Sequence, residues 1–393
     1  MKILFLSTWL PYPPNHGNRI RSYYLLRELS RRHEVTLLSF IQDPSERQYL
    51  THLETLCEKV VTIEHDPFAR PLIRGILSYF VLQPKFLFAG HSREMALALD
   101  KEVASGRHDV LICEVMVAAS YGKHITAIPT IYDDLELGQF LDDSTSHHGF
   151  RRVRRFASNE ILRRYLKGLV RTFSFCTVPS QAEQDLVSSF LHYRKDRLPI
   201  LPNGVDISGY QTAVPLKTEN PYLVFNGSLT FSPNYEAMQF FIQKVWPSVQ
   251  ERFPSLELRI TGSFKNVDTR PLSSPGVIFT GYLDDIRPTV AGARACITPI
   301  LSGGGTRLKV LEAMALKVPV IATTKAVEGL DVVPGKHVLI ADTPSEFVNA
   351  IAEVLTNSNL RKEMAQSAYN VVAKQYDWQI IGQQLENLLQ QIM

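Results

Sequence analysis

The chain has 393 residues with a formal net charge of only +3, of which 45% are hydrophobic and 21% charged. At about 150 residues per domain this length predicts two to three domains, each able to bury a core, and the composition excludes disorder, collagen and coiled coil. The four cysteines, Cys57, Cys113, Cys176 and Cys296, form no CxxC pair, which argues against a zinc site or a disulfide framework and for buried thiols in a reducing cytoplasm.

The opening Ile3-Leu4-Phe5-Leu6 stops at Ser7, too soon for a secretory signal, and reads as a first strand. No run reaches the roughly 18 apolar residues of a membrane span, the longest being Ile76 to Leu82, so a soluble or peripheral protein is expected. After the Gly17-Asn18-Arg19 turn, Leu25, Leu26 and Leu29 recur at helical spacing. Further β-rich runs follow at Val35 to Phe40, Val60 to Ile63, Val110 to Glu114, Thr130 to Asp133 and Phe175 to Pro179. Strands alternating with helical patterns predict βαβ units and a parallel sheet.

Residues 151–171 carry eight Arg or Lys against one Glu, a local +7 that leaves −4 for the rest of the chain. Leu162, Tyr165, Leu166 and Leu169 share one face of this segment, making it a basic amphipathic helix. Attachment to anionic lipid is one reading and a solvated basic face is the other. A nucleic-acid partner is not expected, since no recognised nucleic-acid motif is present.

A second α/β series opens after Pro202-Asn203-Gly204, with strands expected at Tyr222 to Phe225, Leu256 to Thr261, Val277 to Thr280, Ala295 to Ile300, Val318 to Ala322 and Val338 to Ala341. Residues 206–220 lack periodicity and read as an interdomain linker. The expected division is 1–204, 205–375 and a final amphipathic helix, 376–393, built on Trp378, Ile381, Leu385, Leu388 and Leu389, which could pack on either domain.

The most informative segment joins an apolar strand to a helix through Gly303-Gly304-Gly305, followed by Thr306, Arg307, Lys309 and Glu312. Glycines permit close backbone approach, and the amide end of the helix favours an anion. With the helix beginning near Thr306, Glu312 lies two turns beyond Gly305, roughly 10 Å at about 1.5 Å per residue. That span suits a diphosphate at the glycines and a ribose diol on the carboxylate. A glycine turn with a solvated charged face is the competing reading. Neither GxGxxG after the first strand nor GxxxxGK[ST] occurs, so a nicotinamide site and a P-loop are excluded. Asp133 and Asp134, at the end of a strand, could orient an acceptor hydroxyl or take its proton, or simply cap a helix.

Thr306 to Ala315, Val318 to Thr324 and Glu328-Gly329-Leu330 resemble the donor half of retaining family 4 glycosyltransferases of GT-B fold. Pro202 to Asp206, Gly281 to Asp285 and the opening strand with Pro13, Gly17 and Arg19 resemble the family's other landmarks. The resemblance implies two Rossmann-like domains facing a cleft and sugar transfer from a nucleoside diphosphate without a metal or other cofactor. It makes Glu312 the second glutamate of an E-x7-E motif that binds donor ribose, and it places the first at Gly304, where the glutamate is absent. The family's Arg and Lys after the first C-domain strand are replaced by Asn226-Gly227-Ser228-Leu229-Thr230, which leaves Arg307 and Lys309 as the expected phosphate cations. Gly227, Gly262, Gly281 and Leu283 are expected at strand ends around the nucleotide. Gly17 and Arg19 would close on the donor diphosphate or the acceptor, Asp133 would serve catalysis, and Arg21 would be a surface residue.

The function expected is transfer of a hexose from a UDP- or GDP-sugar to a glycan, lipid-linked or small-molecule acceptor, with retention, in the cytoplasm or at the inner face of a membrane. A GT-B nucleotide-sugar epimerase and a non-catalytic sugar-nucleotide or glycan-binding module are the alternatives.

Overall fold

The computed structural model describes residues 1–69, 83–138, 150–305 and 307–392, and of residues 150–157 the helical backbone alone. The apolar run Ile76 to Leu82, Thr306 and the side chains of Arg151, Arg152, Arg154 and Arg155 lie outside the described residues. The chain divides into two compact units, one comprising Met1–Pro202 with Ile381–Met393 and the other Asn203–Ile380.

The first unit holds a six-stranded parallel sheet of β1 (Lys2–Ser7), β2 (Glu34–Ile41), β3 (Lys59–Glu64), β4 (Val110–Glu114), β5 (Thr130–Asp133) and β6 (Phe175–Cys176). The order is β3-β2-β1-β4-β5-β6. Strands of such a sheet are covered on both faces and therefore read as unbroken apolar runs; Ile3, Leu4, Phe5 and Leu6 are all fully buried. The run expected to reach Pro179 is a strand only to Cys176, beyond which Val178 forms a single bridge to Ile200. β1 leads into α1 (Gly17–Ser30), whose Leu25, Leu26 and Leu29 are buried. In the basic helix α2 (Phe150–Leu169), Leu162, Leu166 and Leu169 are buried, and Glu160 pairs with both Arg163 and Arg164 at 2.8 Å. One of the segment's eight positive charges is thus offset within the helix, shared between Arg163 and Arg164.

The second unit repeats the pattern with β7 (Tyr222–Asn226), β8 (Glu257–Thr261), β9 (Val277–Gly281), β10 (Ala295–Thr298), β11 (Val320–Ala322) and β12 (Leu339–Ile340). Its order, β12-β11-β10-β7-β8-β9, is the same doubly wound arrangement in which the first strand of the unit sits beside the fourth. Chain direction of the crossovers reverses at that pair, leaving a crevice beyond the carboxyl ends of the two strands where α/β proteins bind ligands. The crevices lie at β1/β4 and at β7/β10. Around the second sheet lie α3 (Ile207–Gln211), α4 (Ser232–Phe240), α5 (Arg287–Ala291), α6 (Leu308–Ala315) and α7 (Ser358–Gln375).

The last helix, α8 (Trp378–Ile392), buries Trp378, Ile381, Leu385 and Leu389. From Ile381 onward it belongs to the first unit, where Arg32 donates to Gln383 at 2.9 Å and His33 lies 2.5 Å from Glu386. A Cβ on Gly382 would stand 2.7 Å from Cβ of Glu28, so glycine is what lets α8 lie directly on α1. Among the described residues, no helix is long and apolar enough to cross a membrane.

Candidate functional site

In the second unit the crevice residues come together at the ends of β7, β8 and β10. Gly227 follows β7 with φ of 149°, and a Cβ there would stand 2.8 Å from Nζ of Lys309 and 2.9 Å from Nδ2 of Asn234. Gly262 follows β8 with φ of 97°, and its Cβ would strike the Gly227–Ser228 peptide at 2.7 Å. Both positions require glycine for conformation and for space. The Gly262 N–H donates to the Gly281 carbonyl at 2.9 Å, which joins the end of β9 to the same rim, and Leu283 is half-buried just beyond.

The glycine loop closes the other side. Gly303 and Gly305 both take φ of 87°, whereas Gly304 has no positive φ. The helix α6 begins at Leu308 rather than near Thr306, with Arg307 as its N-cap residue. The Arg307 side chain turns back on the loop and donates to the carbonyls of Ser302 and Gly303. In this structure it braces the glycines, so the phosphate role expected of Arg307 is corrected to one of holding the loop that would surround the phosphate.

Lys309 is the cation that faces the crevice. Its Nζ donates to Oδ1 of Asn234 at 2.8 Å and sits 4.0 Å above the ring of Phe225. Burial, with help from Arg307, pulls its pKa from the usual lysine range down to about 7, against opposing effects of Cys296 and Glu312. Among the described residues no carboxylate oxygen lies within 4.0 Å of it, and its contacts are an amide and an aromatic face. Three residues along the same helix, Glu312 accepts from Asn226 Nδ2 at 2.6 Å and from the Tyr210 hydroxyl at 3.1 Å. Burial raises the Glu312 pKa, while these two donors and Lys309 oppose the rise. Each donor uses one lone pair of its oxygen, leaving further acceptor capacity for a diol.

Asn226, Asn234, Phe225 and Tyr210 were not singled out from the sequence. Tyr210 lies in the stretch read as linker, where the structure instead forms α3, and Ser208 donates to Asp206 at 2.9 Å at its start. Asp206 followed by apolar Ile207 and Tyr210 at a spacing of three was the available signal.

The first unit's crevice is occupied by its own charges. Gly17 opens α1, and Arg19 pairs with Glu46, whose other oxygen accepts from the Gln42 N–H at 3.1 Å. Arg19 is therefore neutralised rather than presented to a phosphate. Arg21 is not on the surface but 1% exposed: its Nε and Nη2 grip both oxygens of Asp133 at 2.8 and 2.7 Å, and it also donates to the carbonyls of Leu201 and Pro202 at 3.1 Å. Asp133 is fully buried and accepts a third bond from Thr177 Oγ1 at 2.6 Å. That environment corrects the expectation of a catalytic Asp133, because a fully buried carboxylate with both oxygens already held by Arg21 is not within reach of an acceptor hydroxyl.

Its neighbour Asp134 differs. With φ of 63° it leaves the strand, and among the described residues its buried Oδ1 has no hydrogen-bond partner, with Arg21 Nε 3.9 Å away. Burial, opposed by Arg21, pushes its pKa up to about 6. Beneath it Glu114 is fully buried between Ser7 Oγ at 2.7 Å and Ser22 Oγ, and burial raises its pKa to about 8. Each serine hydroxyl also has a carbonyl to donate to, Trp9 at 2.7 Å and Asn18 at 2.8 Å, an arrangement that fits a protonated Glu114 donating to one of them.

Residues 19–208 match the family model described as Glycosyltransferase Family 4, and residues 220–357 match the model described as Glycosyl transferases group 1. An uncharacterized 44.6 kDa protein in the cps region of Klebsiella pneumoniae is 24% identical over 96% of each chain. A GDP-mannose-dependent monoacylated alpha-(1-6)-phosphatidylinositol monomannoside mannosyltransferase of Corynebacterium glutamicum is 27% identical over 48% of this chain and 55% of that protein. Among solved structures, sucrose-phosphate synthase of Thermosynechococcus elongatus aligns with a TM-score of 0.73 and 17% identity over 100% of this chain and 98% of that one. Anabaena HepE in complex with UDP and glucose aligns with a TM-score of 0.66 and 18% identity over 99% of each. Both halves carry glycosyltransferase signatures and both sheets have the doubly wound order: the chain is a glycosyltransferase of GT-B fold.

Proposed function

We propose that the chain transfers a hexose from a nucleoside-diphosphate sugar to a glycan, lipid-linked or small-molecule acceptor, with retention of anomeric configuration. The observation that carries this reading is the pair Lys309 and Glu312 on one helix, the first above a glycine at the end of β7 and the second held by Asn226 from the same strand. As the sugar's bond to the β-phosphate breaks, negative charge collects on the leaving diphosphate. Lys309 and the amide end of α6 supply the stabilisation, and Glu312 accepts the ribose hydroxyls.

HepE, solved with UDP and glucose, and the GDP-mannose-dependent relative support a UDP- or GDP-linked donor. The match of residues 19–208 to a Family 4 model supports retention. The proposal includes no metal ion, as the family resemblance implies. In the first unit, Asp134 replaces Asp133 as the group that would hold the acceptor hydroxyl, since among the described residues its Oδ1 has no donor. A panel of UDP- and GDP-hexoses, each incubated with the protein and lipid-linked or soluble glycans, tests the reading by mass spectrometry. Formation of a glycosylated acceptor with stoichiometric nucleoside diphosphate is expected. Release of nucleotide with an isomerised free sugar would instead indicate epimerisation.

A further inference from the structure

The second unit has a second concavity at the opposite edge of its sheet from Lys309. A cavity of about 750 Å³ is walled by residues 215–221, 291–294, 317–319 and the first turns of α7. These segments lead directly into Tyr222, Ala295 and Val320, the amino ends of the three adjacent strands β7, β10 and β11. Strands of three to five residues hold the two edges roughly 10–17 Å apart at about 3.3 Å per residue, so the cavity is separate from the crevice at the carboxyl ends.

Its lining is cationic. Lys217, Arg294, Lys317, Arg361 and Lys362 face it with Glu219 as the single lining acid. None of the five has a carboxylate partner within 4.0 Å among the described residues, while Arg259, Arg270 and Arg287 of the same unit each pair with an acid two positions away. Arg294 and Arg361 are close enough to repel, and burial together with that repulsion lowers the Arg361 pKa.

The walls are also preset. Leu216 N–H donates to the Pro288 carbonyl at 2.8 Å, and Gly292 lies so close to this segment that a Cβ would stand 2.3 Å from the Leu216 carbonyl. Arg361 Nη1 donates to the Val354 carbonyl at 2.8 Å, and Lys317 Nζ sits 4.5 Å over the ring of Tyr369. Lys317 itself occupies a left-handed position, φ 56°, closing α6 with the bonds Lys317 N–H to Met314 O at 3.1 Å and Val318 N–H to Ala313 O at 2.9 Å. Glycine is the residue this helix-ending motif favours. A lysine kept there at a conformational cost, lining a cavity whose cations have no carboxylate partner among the described residues, points to a role for its charge.

We propose that this cavity is a second anion site that takes a phosphate-bearing ligand with two or more negative charges. Guanidinium pairs match phosphate oxygens bidentately, and a ligand spanning Arg294 and Arg361 would relieve their repulsion. The ligand's phosphate belongs either to a soluble compound or to a lipid headgroup.

The test uses the full chain at low salt, with inorganic pyrophosphate as probe and calorimetry as readout. In a Lys309→Met background, which removes the crevice cation, one pyrophosphate site should persist. Adding Arg294→Gln and Arg361→Gln should weaken that site by roughly tenfold or more. Lys317→Gly should weaken it too while raising the melting temperature, because glycine relieves the left-handed backbone; binding and folding then move in opposite directions. If Lys309→Met changes nothing, the donor reading is at fault, and the Arg294 and Arg361 replacements made in the wild-type chain still decide the cavity. Cosedimentation with phosphatidylglycerol vesicles that depends on the two arginines would assign a lipid headgroup, and binding of pyrophosphate alone a soluble ligand. Pyrophosphate binding that neither the arginine pair nor Lys317→Gly alters would overturn the proposal.

Discussion

The two crevices share a strand order and differ in how they treat charge. At β1/β4, among the described residues, Arg21 holds Asp133, Arg19 holds Glu46, and Glu114 is buried between two serines. At β7/β10 Gly227 removes the side chain that would fill the space, and Lys309 is left with an amide and an aromatic ring. The same topology can therefore be closed by internal ion pairs or opened to an anion, depending on a few residues at the strand ends. In the closed crevice Oδ1 of Asp134 is without a donor among the described residues, which suits an acceptor hydroxyl rather than a phosphate.

The sharpest way to break the closed crevice is Arg21→Ala. It would leave Asp133 buried and uncompensated, a loss of about 3–5 kcal/mol of stability. Urea denaturation would measure it, and Arg21→Lys should recover only part, because an ammonium cannot reproduce the bidentate grip. A loss below about 1 kcal/mol would mean that the pair is not the anchor of that edge.

The open crevice offers subtler tests. Glu312→Gln should weaken binding of a ribonucleoside diphosphate by roughly tenfold, with little effect on the 2′-deoxy form, since an amide presents a donor where the diol needs an acceptor. Equal losses for both sugars would remove Glu312 from the ribose. Because Lys309 sits near neutrality, diphosphate affinity should fall as pH rises from 6 to 8, while its charge is lost, and binding should take up a fraction of a proton. Calorimetry in buffers of different ionisation enthalpy reads that uptake directly, and the uptake should vanish in Lys309→Met.

The smallest effect concerns Glu114. Its folded pKa, about 8, is raised above the ordinary 4.5, so the stability it contributes is fully present below pH 4.5 and is lost as pH rises toward 8. Glu114→Gln, which imitates the protonated acid, should flatten this slope in the melting temperature. A slope unchanged by the substitution would indicate an ionised Glu114.

Much of this was legible in the chain. Uninterrupted apolar runs marked the strands because both faces of a parallel sheet are buried, and Gly303 to Glu312 marked the open crevice because local spacing alone sets a loop and a helix face. What was not legible depends on distant partners. Arg21 looks like any helix-surface arginine until Asp133, 112 positions away, is brought against it. Asn234 and Tyr210 likewise acquire meaning only when α4 and α3 place them on Lys309 and Glu312. Arg307 is ambiguous in the sequence for a related reason: a cation beside glycines can face the ligand or the loop's own carbonyls, and spacing does not separate the two.

The central claim is that the second crevice receives a nucleoside diphosphate through Lys309. Calorimetric titration of wild type and Lys309→Met with UDP, GDP and the corresponding nucleosides tests it most directly. A charge-assisted contact to phosphate is expected to make the variant roughly tenfold to a hundredfold weaker for the diphosphate and nearly unchanged for the nucleoside. Equal loss for both ligands, or none for either, would contradict it.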